Sequence, residues 1–396
     1  MHRIRLSSRL AIAMTISLCA GLSAVQASDM VSDPAFGNSD GWQRLYEPAA
    51  GTQDEGAVAQ VRLAGGDYMV ATELPNGGAN SGAGKRIGLF RLNSDGHPVT
   101  SWGNLGFVAK DAWLTAVTGM AVDAQGRIIV VGPTPGPGGL SDYGVVRFNA
   151  DGSDDSSFAG DGGTAVGADG ADSTNDYPNA VLVDADGSIL VTGTTDVLGS
   201  DRAMVVSFNT SGTVIDGWVG TFATGEPALG QKLLRIADGY YVVAGTSEVS
   251  PAQTRFGACL LPPGLGDADT CEGSLVLPIS GSVAGAALVN PDTVLLFGTG
   301  ATADHIVATR IRASGDGQGH YDTLAVDPAF IGNGQPGYPN AYHNPLPVPT
   351  VARDAVIDAQ GRSLLAGFGQ RDEGPLGSGL VLRLRPDGSA DTGFGD

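Results

Sequence analysis

Short runs of aliphatic and β-branched residues, broken at regular intervals by Asp and Gly, recur along almost the whole chain. Ala180-Val181-Leu182-Val183 is followed by Asp184-Ala185-Asp186-Gly187 and then by Ser188-Ile189-Leu190-Val191-Thr192-Gly193. Runs of this length and composition predict strands, and the polar step between them predicts a tight hairpin turn. Asp opens such a turn by accepting from nearby amides, and Gly adopts the positive φ that the turn imposes. The same arrangement spans Met120 to Gly132, with turn Asp123 to Gly126, and Ala355 to Gly367, with turn Asp358 to Gly361. More degenerate copies centre on Gly66, Gly239 and Pro291-Asp292.

Each hairpin is followed by a third strand, a second turn and an aromatic residue. Tyr143-Gly144-Val145-Val146-Arg147-Phe148 leads into Asn149-Ala150-Asp151-Gly152, and Phe158 stands ten residues beyond Phe148. The same ten-residue step joins Leu92 to Trp102, Phe208 to Trp218 and Leu384 to Phe394. Third strands ending at Leu92, Phe148, Phe208, Leu261, Ile311 and Leu384 give six units, each with a fourth strand expected after its aromatic residue, as in Gly217 to Phe222. The sixth unit has no such strand after Phe394. Gly41-Trp42-Gln43-Arg44-Leu45-Tyr46 follows Phe36, which stands in a matching position at the other end of the chain. The expectation is an all-β, six-bladed β-propeller with four-stranded blades, closed by an N-terminal strand that completes the C-terminal blade.

The units resemble the bacterial delta-60 repeat, whose form is Arg-x-Asn-x-Asp-Gly-Ser-x-Asp-x-x-Phe-Gly after a hairpin ending in Gly. The stretches from Arg147 to Phe158 and from Arg383 to Gly395 carry the match, Arg91 to Trp102 and Ser207 to Trp218 carry it in part, and units four and five are eroded. The resemblance implies a propeller fold over nearly all of the chain after its leader. It implies no activity, because the matched positions are turns and plugs.

Composition narrows the class. With 61 Gly, 22 Pro and few aromatics in 396 residues, the core is expected to be built from Val, Leu, Ile and Ala. Residues 1–27 read as a signal peptide: Arg3, Arg5 and Arg9 precede a mostly apolar stretch from Leu10 to Leu22, and Val25-Gln26-Ala27 supplies a cleavage site. The expected mature domain is 28–396, exported to the periplasm or the cell exterior and without membrane insertion. The whole chain carries a formal charge of −20; removing the leader leaves 19 basic residues against 42 acidic ones, a charge of −23. Such an acidic surface repels nucleic acid and anionic membranes. Cys259 and Cys271 remain after processing. Cys271 stands ten residues beyond Leu261, where other units have an aromatic, so a bridge from third to fourth strand is expected there, the alternative being two buried thiols.

Candidate chemistry is sparse. The innermost strands open at Val58, Thr118, Asn179, Gln231 and Arg353, and only Asp354 beside the last is an acid. A divalent metal needs several convergent ligands, so no metal site is expected, and a lactonase-like chemistry gains little support. Ser94-Asp95-Gly96 with Trp102 resembles a sialidase turn, but at the wrong spacing. Calcium at acidic turns such as Asp184 to Gly187 is the one cofactor left open, and turn formation accounts for those residues without it. The fifth unit breaks the period: Ile311 to Phe330 is 19 residues, not ten, and a Pro-rich stretch follows. This insertion, around 317–349, gathers His320, Tyr321, Tyr338, Asn340, Tyr342 and His343 as candidate binding residues, since a loop grown from a rigid scaffold often carries recognition. The expected function is a non-enzymatic, monomeric binding or scaffold module for a protein or a glycan. A degenerate lactonase-like or glycosidase-like hydrolase or lyase is the alternative.

Overall fold

The computed structural model describes residues 56–74, 85–168, 174–250, 253–266, 271–301, 305–334, 340–345, 349–369 and 378–394. Its contacts divide the chain into two compact units. Among the described residues, the first comprises those from Gly56 to Ser200 and from Val205 to Gly217, and the second those from Asp201 to Met204 and from Trp218 to Phe394. No helix among the described residues is long and apolar enough to cross a membrane.

In the first unit, β1 (Gly56–Arg62), β2 (Tyr68–Leu74), β3 (Lys85–Leu92) and β4 (Phe107–Leu114) form one four-stranded sheet in chain order. A second contains β5 (Gly119–Val122), β6 (Ile128–Pro135), β7 (Ser141–Phe148) and β8 (Gly163–Val166). A third four-stranded sheet, in which residues 202–204 and 218–220 are counted with the second unit, contains β9 (Asp176–Val183), β10 (Ile189–Thr195), β11 (Arg202–Phe208) and β12 (Val214–Gly220). The core lies between neighbouring sheets: Met69, Ala71, Ile87 and Leu89 of the first pack with Met120, Ile128, Val130 and Phe148 of the second.

The second unit departs from a set of separate blades. β13 (Ala228–Arg235), β14 (Tyr241–Ser250), β15 (Gln253–Leu261), β16 (Gly273–Asn290), β17 (Thr293–Gly300), β18 (Ile306–Gly315) and β19 (Tyr321–Val326) form one continuous sheet, with β20 (Ala341–His343) also on β18. β16 explains the continuity. Its first half, up to Ser280, pairs with β15, and its second half, from Gly281, pairs with β17. The chain leaves one four-stranded set and enters the next without a loop. The switch falls at Gly281, whose φ of 142° and closeness to the Thr299 carbonyl exclude a side chain. The last sheet holds three described strands, β21 (Thr350–Ile357), β22 (Ser363–Gly369) and β23 (Ser378–Leu384). The described residues therefore show three four-stranded sheets, one eight-stranded sheet and one three-stranded sheet. The strand Trp42 to Tyr46, expected to complete the last, lies outside them.

One irregularity recurs. The first strand of a hairpin carries a β-bulge at Val58, Asn179, Gln231, Ala284 and Arg353, where the register against the second strand slips by one residue. The bulge pushes a carbonyl across the sheet toward the second strand. A Cβ at Gly193 would overlap the carbonyl of Tyr177, one at Gly245 that of Leu229, and one at Gly367 that of Val351. The glycine that ends these three hairpins is thus fixed by close approach, whereas the first hairpin has Thr72 opposite Ala57, beside its bulge. Val58, Asn179, Gln231 and Arg353, read from the sequence as the start of the inner strands, are the bulged residues themselves.

The second turn is a lock between sheets. Arg147 is fully buried; its Nε donates to Asp155 Oδ2 at 2.7 Å, and its guanidinium lies 4.6 Å from the centre of the Phe158 ring. Its Nη1 donates to the carbonyl of Thr210, in the corresponding turn of the next unit, at 2.8 Å. Trp102 Nε1 makes the equivalent bond to Ala150 at 2.8 Å, and Arg310 Nη1 bonds to Pro386 at 2.7 Å. In the first, second and fifth units the aromatic residue sits beneath the next unit's turn glycine: Trp102 under Gly152, Phe158 under Gly212, Phe330 under Gly388. Where the fourth unit lacks its aromatic, Cys259 and Cys271 form a disulfide with Cα atoms 5.6 Å apart.

Candidate functional site

Most polar residues of the repeat are consumed by turns. Asp184 accepts from the amide of Ala185, Asp186 from that of Ser188, and Asp123 from those of Gln125 and Arg127. Among the described residues no three His, Cys, Asp or Glu side chains converge in a way that could hold a metal ion.

The fifth unit is where the pattern changes, and the structure shows how. In the second unit of the repeat, β8 pairs with the first half of β7 beyond the plug Phe158. β20 holds the same place on β18, pairing Val307–Thr309 with Ala341–His343 beyond the plug Phe330. The additional residues between Ile311 and Phe330 extend the second turn into a hairpin, β18 with β19, from Ile311↔Val326 to Gly315↔Tyr321.

The six candidate residues therefore separate into two places. His320 and Tyr321 lie at the hairpin tip. His320 is exposed, and its Nδ1 is 2.9 Å from the hydroxyl of Tyr240, in the hairpin turn of the fourth unit. The Tyr321 ring meets that of Tyr240 edge-on at 5.4 Å. Asn340, Tyr342 and His343 lie at the other end of β18. His343 opposite Val307 and Tyr321 opposite Gly315 are eight residues apart along one strand, roughly 26 Å at about 3.3 Å per residue. Tyr338 lies outside the described residues.

The second group is largely internal. Tyr342 is only 3% exposed and packs with Phe330, Leu365 and Leu384; burial pushes its hydroxyl pKa up to about 12. Asn340 adopts a positive φ of 53°, and its carbonyl accepts from Thr309 Oγ1 at 2.7 Å. His343 is half-buried, with its ring 4.9 Å from that of His305. Burial, and then the neighbouring His305, hold its pKa below the usual 6.5. Asn333 clamps the His343 backbone, donating to its carbonyl at 2.6 Å and accepting from its amide at 3.2 Å.

The sequence reading missed Tyr240, His305 and Asn333. Tyr240 had a signal: it follows the degenerate turn Asp238-Gly239, at a point where the better-matched hairpins place Arg or Ser. On β21, Asp354 reaches solvent, yet burial among the surrounding residues still raises its pKa, partly offset by Lys232 of β13.

These features define an all-β propeller with four-stranded antiparallel blades. Residues 125–158 match the family model described as "Domain of unknown function (DUF5122) beta-propeller". No curated protein matches the chain. Among solved structures, it is similar to an ulvan lyase described as a new family of polysaccharide lyase, at 11% identity and a TM-score of 0.48, over 87% of this chain and 82% of the other. A glucose dehydrogenase is similar at 12% identity and a TM-score of 0.42, over 85% and 99%. The β-propeller domain of the Trilobed protease from Pyrococcus furiosus is similar at 10% identity and a TM-score of 0.40, over 83% and 90%.

Proposed function

We propose that this protein is an exported, closed six-bladed propeller that acts as a non-catalytic binding module, with the β18–β19 hairpin as its contact surface. One observation carries the reading: the residues that recur from unit to unit are committed to turns, ion pairs and plugs, whereas the lengthened hairpin presents His320 and Tyr321, which belong to no repeat. Tyr240 props this tip from beneath, so an aromatic and imidazole surface is held in place before a partner arrives. The six-blade count is supported by the two halves of β16, each completing a set of four strands. It further requires the Trp42 to Tyr46 strand to close the last sheet.

The experiment is capture by the purified mature protein, from secreted proteins in one arm and on a glycan array in the other, repeated with His320→Ala/Tyr321→Ala. Loss of the captured ligand in the variant supports the reading, and the arm that responds says whether the ligand is protein or glycan. Unchanged capture removes the hairpin from consideration. Export is tested separately by the mature N-terminus, expected at Ser28.

A second reading, a degenerate hydrolase or lyase, is favoured by the raised pKa of Asp354 near Lys232. It requires turnover on an ester or glycoside panel that Asp354→Asn abolishes.

A further inference from the structure

The first unit buries an acid that the repeat does not explain. Asp176 opens β9 with no exposed surface. Its Oδ2 accepts from the Ala168 amide at 2.9 Å and from the Thr174 hydroxyl at 3.2 Å, while its Oδ1 has no hydrogen-bond partner. Burial raises its pKa, against hydrogen bonds from Thr195, Ala168 and Thr174, and the charged neighbour acting on it is another acid, Asp196. A wholly buried carboxylate oxygen without a partner is costly, and the cost falls if a cation is bound there.

Two further groups lie near Asp176. Tyr143 of β7 is fully buried, its hydroxyl also has no hydrogen-bond partner, and its pKa is raised by burial and by the charge of Asp176. That hydroxyl lies 2.6 Å from where a Cβ on Gly193 would stand, on the strand that pairs with β9. Asp142, next to Tyr143 and 6% exposed, brings in a second carboxylate. The point where a Cβ on Gly167 would stand is 3.2 Å from Asp142 Oδ1 and 3.4 Å from Asp176 Oδ2, so glycine there leaves both acids access to one space.

We propose that Asp142, Asp176 and Tyr143 form a site for a hard divalent cation of calcium size. The donors are all oxygen, which suits calcium and not the nitrogen and sulfur preference of zinc. Calcium accepts six to eight oxygens, including carbonyls and waters, so two carboxylates and a phenol are an adequate protein share. A cation here ties the starts of β7 and β9, in successive sheets, close to Gly167 and Ala168. This site is separate from the acidic turns, whose carboxylates are engaged by their own backbone amides.

The test is calcium titration of the EDTA-treated full chain, followed by calorimetry and by thermal unfolding. One saturable equivalent is expected, with a Tm that rises with calcium concentration as it does for any ligand selective for the native state. Asp176→Asn should remove that equivalent. Tyr143→Phe, which keeps the packing, should weaken it by at least the roughly tenfold that losing a supporting partner costs a metal site. Asp184→Asn/Asp186→Asn, in an exposed turn, should leave it unchanged. Absence of a saturable equivalent, or its loss in the turn variant, overturns the proposal, as does its survival in Asp176→Asn. Should Asp176→Asn not fold, calcium affinity unchanged in Tyr143→Phe overturns it instead.

Discussion

At the scale of single residues, this fold is held by positions where a side chain is forbidden and by charges buried in pairs. Gly245 shows the first. A Cβ there would overlap the Leu229 carbonyl and stand 2.9 Å from the Phe222 ring, and backbone cannot yield as a flexible side chain can. Gly245→Ala is expected to lower unfolding free energy by at least about 2 kcal/mol. Gly65→Ala, where no atom lies within 4 Å, should stay within about 0.5 kcal/mol of the parent; equal denaturation midpoints for the two variants would refute the carbonyl argument. Arg147 with Asp155 shows the second. Asp155→Ala leaves a fully buried guanidinium without its carboxylate, a loss of about 3–5 kcal/mol, much of it recovered when Arg147→Met is added. Chemical denaturation of the single and double variants distinguishes this from loss of a turn alone, which the added substitution would not restore. The sequence made both features visible as a pattern, a glycine ending hairpins from the second unit onward and an Arg eight residues before an Asp. Their cause was not legible, because a bulge is a property of register between two strands and cannot be seen in either strand alone.

At the scale of elements, the fifth unit is the instructive case. The 19-residue step from Ile311 to Phe330 contains the hairpin of β18 with β19, and residues that are near in sequence lie at opposite ends of β18. Tyr342 looked like a loop aromatic and is a core residue of an ordinary fourth strand. The strand β20 that carries it should respond to acid through His343. Because the folded-state pKa of His343 is depressed, its contribution to stability is present above the usual value of 6.5 and is lost as the pH falls through the lower folded value. The stability gap between wild type and His343→Gln should therefore narrow between about pH 7 and pH 5. A gap that is constant with pH would mean that the imidazole does not titrate against the fold. The disulfide was legible from register, since Cys271 occupies the plug position. Its double variant Cys259→Ala/Cys271→Ala should lose roughly 2–4 kcal/mol, read as a lower denaturation midpoint that added reductant does not shift further.

At the scale of the whole molecule, the open matter is the edge of the sheet that ends in β23. Described residues supply this sheet with β21, β22 and β23, paired from Thr350↔Gly369 to Ser363↔Leu384. A row of unpaired amides and carbonyls along β23 would be a template for another chain, and propellers avoid that by covering the edge. Under the proposed closure, Gly41 to Tyr46 is the cover. Amide hydrogens from Trp42 to Tyr46 should then exchange as slowly as those of the inner strands, because they open only with the ring. A chain beginning at Glu47 should be less stable and should self-associate at concentrations where the full chain is monomeric, and a peptide spanning residues 38–47 should reverse both effects. Size-exclusion chromatography with and without the peptide measures the second effect. Rapid exchange at Trp42 to Tyr46, together with a monomeric shortened chain, would leave the last sheet complete without its N-terminal strand, and the six-blade count would have to be abandoned.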